Sequence, residues 1–141
     1  MISPVIAPLI SWGTLTVVTV FATVVAQPVM GQDTHILVVT GLGGAPEYSE
    51  RFREWGSALV TAVGENLGQP ADHITYLGED PGADPLIQDR STRENVERAF
   101  ARLVSNSQPD DHIFVVLIGH GSYTAGESRF NLPGPDLTAE D

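Results

Sequence analysis

The stretch that decides the fold is Ile113-Phe114-Val115-Val116-Leu117-Ile118-Gly119-His120-Gly121-Ser122. Six consecutive apolar residues, rich in β-branched types, predict a parallel strand buried on both faces. The run stops at Gly-His-Gly, where the chain can turn sharply and leave one imidazole at the strand's carboxyl end. Open α/β sheets bind their ligands at that end. His120 is therefore the first candidate for chemistry. The packing alternative is a histidine that satisfies backbone groups at a tight turn.

Working outward toward the amino terminus, Ser91-Thr92-Arg93-Glu94 reads as a capping box, the serine hydroxyl accepting from the third helical N–H. Val96, Phe100, Leu103 and Val104 give that helix an apolar stripe, and Gln108-Pro109-Asp110-Asp111 ends it. Ile74-Thr75-Tyr76-Leu77 reads as an earlier strand, followed by a Gly-, Pro- and Asp-rich loop over residues 78–90 that is long enough to line a site. Ile36-Leu37-Val38-Val39 is the first strand and ends in Thr40-Gly41-Leu42-Gly43-Gly44. Pro46 then suits the first turn of a helix. Phe52, Trp55, Leu59, Val60 and Val63 recur on it at helical spacing, opposite Glu50, Arg51, Arg53 and Glu54. Gly64 and Gly68 mark its end.

Strands alternating with helices predict an α/β fold, a three-layer α-β-α sandwich around a mostly parallel sheet. Beyond Ser122, residues 129–132 read as a short extended piece and Pro133-Gly134-Pro135 as a turn. Residues 136–141 read as the opening of another helix. Three strands with a two-sided apolar centre call for further layers, so the pattern reads as truncated after its third strand. Residues 34–141 are then the amino-terminal part of a domain. Such a chain is expected to aggregate or stay molten by itself, because the His120 strand would present an uncovered apolar edge.

Composition narrows the function. The 141 residues include no cysteine and no lysine; seven arginines face eighteen acids, for a formal net charge of -11. No disulfide framework or thiolate metal site is available. Phosphate-backbone binding needs clustered cations, so nucleic acid is excluded as a partner. Residues 15–26 (LTVVTVFATVVA) form an apolar run before the first charge at Asp33, with Val24-Val25-Ala26 resembling a small-residue cleavage site. A second cut is compatible with Gly31. Residues 1–31 thus read as a signal peptide or an N-terminal anchor, and the protein as exported, periplasmic or secreted. The n-region carries no Lys or Arg. An uncleaved anchor or a mis-assigned start are the alternatives, and membrane contact is expected only through this segment.

Other motifs carry less. Gly41-Leu42-Gly43-Gly44 lacks the third glycine of a dinucleotide fingerprint, where Pro46 stands. Ser122 is one position out of register for a nucleophile elbow, and reads as a turn residue capping a backbone N–H. His35, His73 and His112 each precede an apolar strand, at the amino ends of the sheet and away from the expected site, so no metal and no cofactor is expected.

A capped helix, then Asp-Asp-His before an apolar strand, then Gly-His-Gly resembles the caspase-like clan of cysteine peptidases. That clan includes caspases, legumains and the peptidase subunit of the GPI transamidase. The likeness covers residues 34–141: the Val39-Thr40-Gly41 strand end, the helix over residues 92–103, the histidine motif and the segment over residues 130–136. It is closest to the legumain-like bacterial members. The resemblance implies that His120 is the catalytic histidine, that the Gly121 N–H serves the oxyanion, and that Gly41, Gly43, Gly44 and Ser122 border the substrate cleft. It implies a peptide or protein substrate. It also implies a cysteine nucleophile at the end of the next parallel strand, beyond Asp141, since this chain has none. A non-catalytic binding module that keeps the cleft, and an exported α/β protein without cleft chemistry, are the alternatives.

Overall fold

One central strand divides its side chains between two cores. In the computed structural model, which describes residues 31–141, β1 (Thr34–Thr40) is flanked on both sides. β2 (Ile74–Gly78) pairs with it on one side and β4 (His112–Ile118) on the other; β3 (Asp89–Arg90) extends the sheet beyond β2. All three pairings are parallel. Leu37 and Val39, with Leu77, meet Val96, Ala99 and Leu103 of α2 (Arg93–Asn106). Ile36 and Val38, with Ile74 and Tyr76, meet Val63 of α1 (Pro46–Asn66), with Leu59 and Val60 alongside. The strand period of two sends alternate residues to opposite helices. The predicted α/β sandwich with a mostly parallel sheet is what forms. The order β3-β2-β1-β4 reverses direction between β1 and β4, which makes their carboxyl ends the topological switch point.

Several local expectations are corrected. β4 is not buried on both faces: Phe114 is 56% exposed and Leu117 44%. Among the described residues it pairs only with β1, at the edge of the sheet, and both helices lie chiefly over β1 and β2. The cap of α2 is Thr92, whose side chain accepts from Asn95 N, and not Ser91. Ser91 N donates to Gly78 O at 2.8 Å, which prolongs the β2–β3 pairing by one residue and delays the helix. On α2 the buried stripe is Val96, Ala99 and Leu103, which turns Phe100 outward and leaves Val104 74% exposed. On α1, Trp55 is 54% exposed while Phe52 and Gly56 are buried. That helix ends at Asn66, and Gly68 follows in the left-handed region at φ 64°.

Beyond His120 the chain makes a second, antiparallel sheet from β5 (Gly121–Thr124), β6 (Glu127–Phe130) and β7 (Leu137–Thr138). Ala125 (φ 55°) and Gly126 (φ 88°) form the two-residue turn between β5 and β6, with the positive φ values of a type I′ hairpin. The extended piece over residues 129–132 is partly β6, and Leu132 enters the α2-side core. Residues 136–141 do not open a helix. Leu137 and Thr138 pair with Phe130 and Arg129, Asp141 accepts from Thr138 N, and Arg93 reaches Asp141 at 3.2 Å. The signal or anchor assigned to residues 1–31 lies outside the described residues except for Gly31. Among the described residues no helix is long and apolar enough to cross a membrane.

Tyr76 crosses under α1 and donates its hydroxyl to Arg53 O at 3.2 Å. A Cβ on Gly56 would lie 2.6 Å from Tyr76 Cζ and 2.9 Å from Thr40 Cγ2. Gly56→Ala is therefore expected to destabilise the fold by about 1–3 kcal/mol through overpacking. Urea unfolding of the full-length protein would show a lower midpoint at unchanged slope.

Candidate functional site

The site is set by how closely the ends of β1 and β4 approach. Gly41 N donates to Ile118 O at 2.9 Å, carrying the sheet pairing past both strands. A Cβ on Gly119 would lie 2.8 Å from the Phe130 ring and 3.2 Å from Gly41 Cα, and one on Gly41 would lie 2.5 Å from Asn131 O. Only residues without a side chain allow the ring of Phe130 to lie across both strand ends. Asn131 N then donates to His120 O at 3.0 Å, and Leu42 N to Asn131 O at 2.9 Å. The return of β6 thus ties the β1 loop to the backbone of His120.

The His120 ring meets α1. Tyr48 lies 4.8 Å away between ring centroids at 75°, and Phe52 lies 5.1 Å away at 71°. Both are edge-on arrangements of the kind aromatic rings favour. Gly121 faces Phe130 across the hairpin, and the Asn131 N–H to His120 O bond marks this as a non-hydrogen-bonded pair. The Gly121 N–H therefore points away from β6. Ser122 sits within β5 opposite Arg129, so it is a strand residue where the sequence predicted a turn residue. Two-residue hairpin closure at Ala125-Gly126 draws it into the ladder.

The remaining glycines line the β1–α1 connection. Gly43 N donates to Glu79 Oε2 at 3.1 Å, and Gly44 adopts φ 75°. Ala45 O accepts from Tyr48 N and Ser49 N, which starts α1 without a side-chain cap and with Pro46 in its first turn. Next to this connection lies a cavity of about 540 Å³, lined among others by Thr40, Gly41, Ser49, Arg53, Glu79 and Arg90. The long loop over residues 78–90 does line a cavity, and one carboxylate fastens it. Asp84 Oδ2 accepts from Ser57 Oγ at 2.6 Å and lies 3.6 Å from Arg53 Nη1. The Ser57 hydroxyl, then the Leu86 N–H and Arg53, hold the Asp84 carboxyl below its ordinary range.

The other three histidines lie at the opposite end of the sheet, or beside it, as expected. His35 Nε2 is 3.3 Å from Asp111 Oδ2, and its ring lies 4.5 Å from that of His73. His112 is exposed at the start of β4. Among the described residues no group of three or more His, Asp or Glu is arranged to hold a metal. Sequence reasoning missed Asp111, which accepts from Gln108 N at 2.7 Å and Asp33 N at 3.0 Å and so clasps the β4 and β1 starts. It also missed the contact of Tyr48 and Phe52 with His120. The available signal was two aromatics four residues apart at the start of the helix that follows β1.

The Gln108 and Asp33 N–H groups, and then His35, hold the Asp111 carboxyl below its ordinary range. A depressed folded pKa gives stability that is present above the unfolded value of about 3.9 and is lost as pH falls through the folded one. The urea midpoints of the full-length protein and of its Asp111→Asn variant are accordingly expected to differ most near neutrality. The gap should narrow on acidification below about pH 4. A gap that does not change with pH would show that the carboxylate is not the fastening group.

No protein-family model and no solved structure matches the chain. Among curated proteins, Metacaspase-1A of Neurospora crassa is 38% identical over 60 residues, which make up 43% of this chain and 13% of that protein. The likeness is weak and partial, and it points to the caspase-like clan and to nothing narrower.

Proposed function

We propose that this chain is the histidine-bearing part of an exported caspase- or legumain-like cysteine peptidase domain, with His120 as its general acid and base. One observation carries the reading. His120 stands where the strand order reverses, between two glycines, beside a backbone N–H that points away from its own hairpin. The Gly-His-Gly motif at the end of an apolar strand and the partial likeness to a metacaspase support the same clan. The apolar run over residues 15–26 supports export.

The chemistry then runs as follows. A cysteine on a further strand, laid along the exposed edge of β4, gives its thiol proton to His120 and attacks the scissile carbonyl of a peptide as the thiolate. The S–C bond forms as the carbonyl oxygen takes up charge, and the Gly121 N–H donates to that oxygen. As the C–N bond breaks, the His120 imidazolium passes its proton to the leaving amine. Neutral His120 then takes a proton from the water that releases the acyl group. Gly41, Gly43, Gly44 and Ser122 border the cleft, where larger side chains would obstruct the substrate.

The second reading is a caspase-like module that binds peptide in the same cleft without cleaving it. Sequencing the gene past Asp141 separates the two: a cysteine at the end of the next strand supports the peptidase, and Ser, Ala or Gly there supports the binding module. With the cysteine-bearing strand present, His120→Ala is expected to lower turnover of fluorogenic peptides by roughly a hundredfold or more, since acid–base groups contribute on the order of 10²–10⁴. Its thermal transition should stay cooperative, showing that the fold is kept. Equal turnover in that variant would end the assignment.

A further inference from the structure

The His120 ring has no rigid partner on its own strand. Gly119 and Gly121 flank it, and no side-chain hydrogen bond among the described residues holds its nitrogens. Its backbone is fixed through Asn131, but a fixed Cα leaves the imidazole free to turn about two bonds. An acid–base group misplaced by an ångström loses most of its value. Something has to hold this ring.

We infer that Tyr48 and Phe52 are positioning residues that hold the His120 imidazole against their adjacent rings, an inference that rests on the role proposed above for His120. They stand at i and i+4 on α1, so they share one stripe of that helix. Both rings meet the imidazole within about 5 Å at steep angles, a geometry worth more than the area it buries. Phe52 is buried, with Trp55 beyond it and Tyr48 before it. It forms the fixed wall.

Tyr48 is the informative partner. It is 39% exposed and belongs to neither hydrophobic core. Its ring touches His120 on one side and Phe52 along the helix, and the Arg51 guanidinium lies 5.9 Å from its centroid. Packing of the fold does not account for an aromatic ring at this exposed position, whereas orientation of His120 does. The start of α1 follows directly from the β1 carboxyl end through Ala45 and Pro46, which brings residue 48 to the switch point. One helix turn thus delivers the clamp to the end of the neighbouring strand.

The test uses the full-length protein, with whatever follows Asp141, labelled with ¹³C in its histidine rings, the His120 signals being assigned from His120→Gln. In Tyr48→Leu the His120 ring signals should move toward those of a free imidazole. Acylation of His120 by diethyl pyrocarbonate should quicken about two- to tenfold, the factor one aromatic pair is worth. Tyr48→Phe, which keeps the ring, should leave both readouts at parent values. Phe52→Leu should shift them in the same direction as Tyr48→Leu. The signals of His35, His73 and His112 report whether the fold is intact, and they should stay in place in the Tyr48 variants. His120 signals and acylation unchanged by Tyr48→Leu, or altered as much by Tyr48→Phe, would overturn the inference. None of these readouts needs turnover, so failure of the clamp leaves the peptidase reading to its own test. An intact clamp with an inactive His120 would end that reading alone.

Discussion

The contact between Gly41 and Gly119 is the constraint on which the rest of the site depends. Two parallel strands normally diverge past their last pairing, yet Gly41 N still donates to Ile118 O beyond the end of β1. The ring of Phe130 then crosses both glycines, and Asn131 binds His120 from one side and Leu42 from the other. A methyl group at either glycine would collide with the ring or with the Asn131 carbonyl. Fold and site therefore share one piece of packing, and the second sheet is its consequence. β5 and β6 exist where they do because Phe130 and Leu132 must return over the strand ends to reach the α2-side core.

The two ends of the main sheet are held by different means. At the amino end the fastening is polar: Asp111 gathers two N–H groups and His35, joining the start of β1 to the turn before β4. At the carboxyl end the fastening is steric and aromatic, built from glycines, Phe130, Tyr48 and Phe52. A charged clasp at the carboxyl end would set a fixed carboxylate beside His120. Tyr48 and Phe52 contact the His120 ring without introducing that charge. Glu79 and Asp84 are engaged in holding Gly43 and Ser57.

Much of the fold was legible in the sequence because its signals are local. Runs of β-branched residues gave β1, β2 and β4, and apolar spacing with Pro46 gave α1. What misled were patterns whose meaning depends on neighbours. The β4 run reads as doubly buried, but burial needs strands and helices on both sides, and among the described residues β4 has a strand partner only at β1. Ser91 has a good cap's chemistry, yet its N–H is taken by Gly78 O and the cap passes to Thr92. Residues 136–141 carry helix-opening residues, yet Leu137 finds a free edge on β6 and pairs with it.

By itself the sequence determined the α/β alternation, the strand-end position of His120 and the glycines around it, because a strand's period and a glycine's lack of a side chain are properties of the residues. Only the tertiary structure decided which residues surround the imidazole. Tyr48 and Phe52 lie some seventy residues before His120, and nothing in their local pattern names it as their partner. The contact arises because the sheet order places β4 beside β1, so that the helix leaving β1 begins at the end of β4. That adjacency is a choice of strand pairing, set by the joint burial of both cores, and no short stretch of the chain contains it.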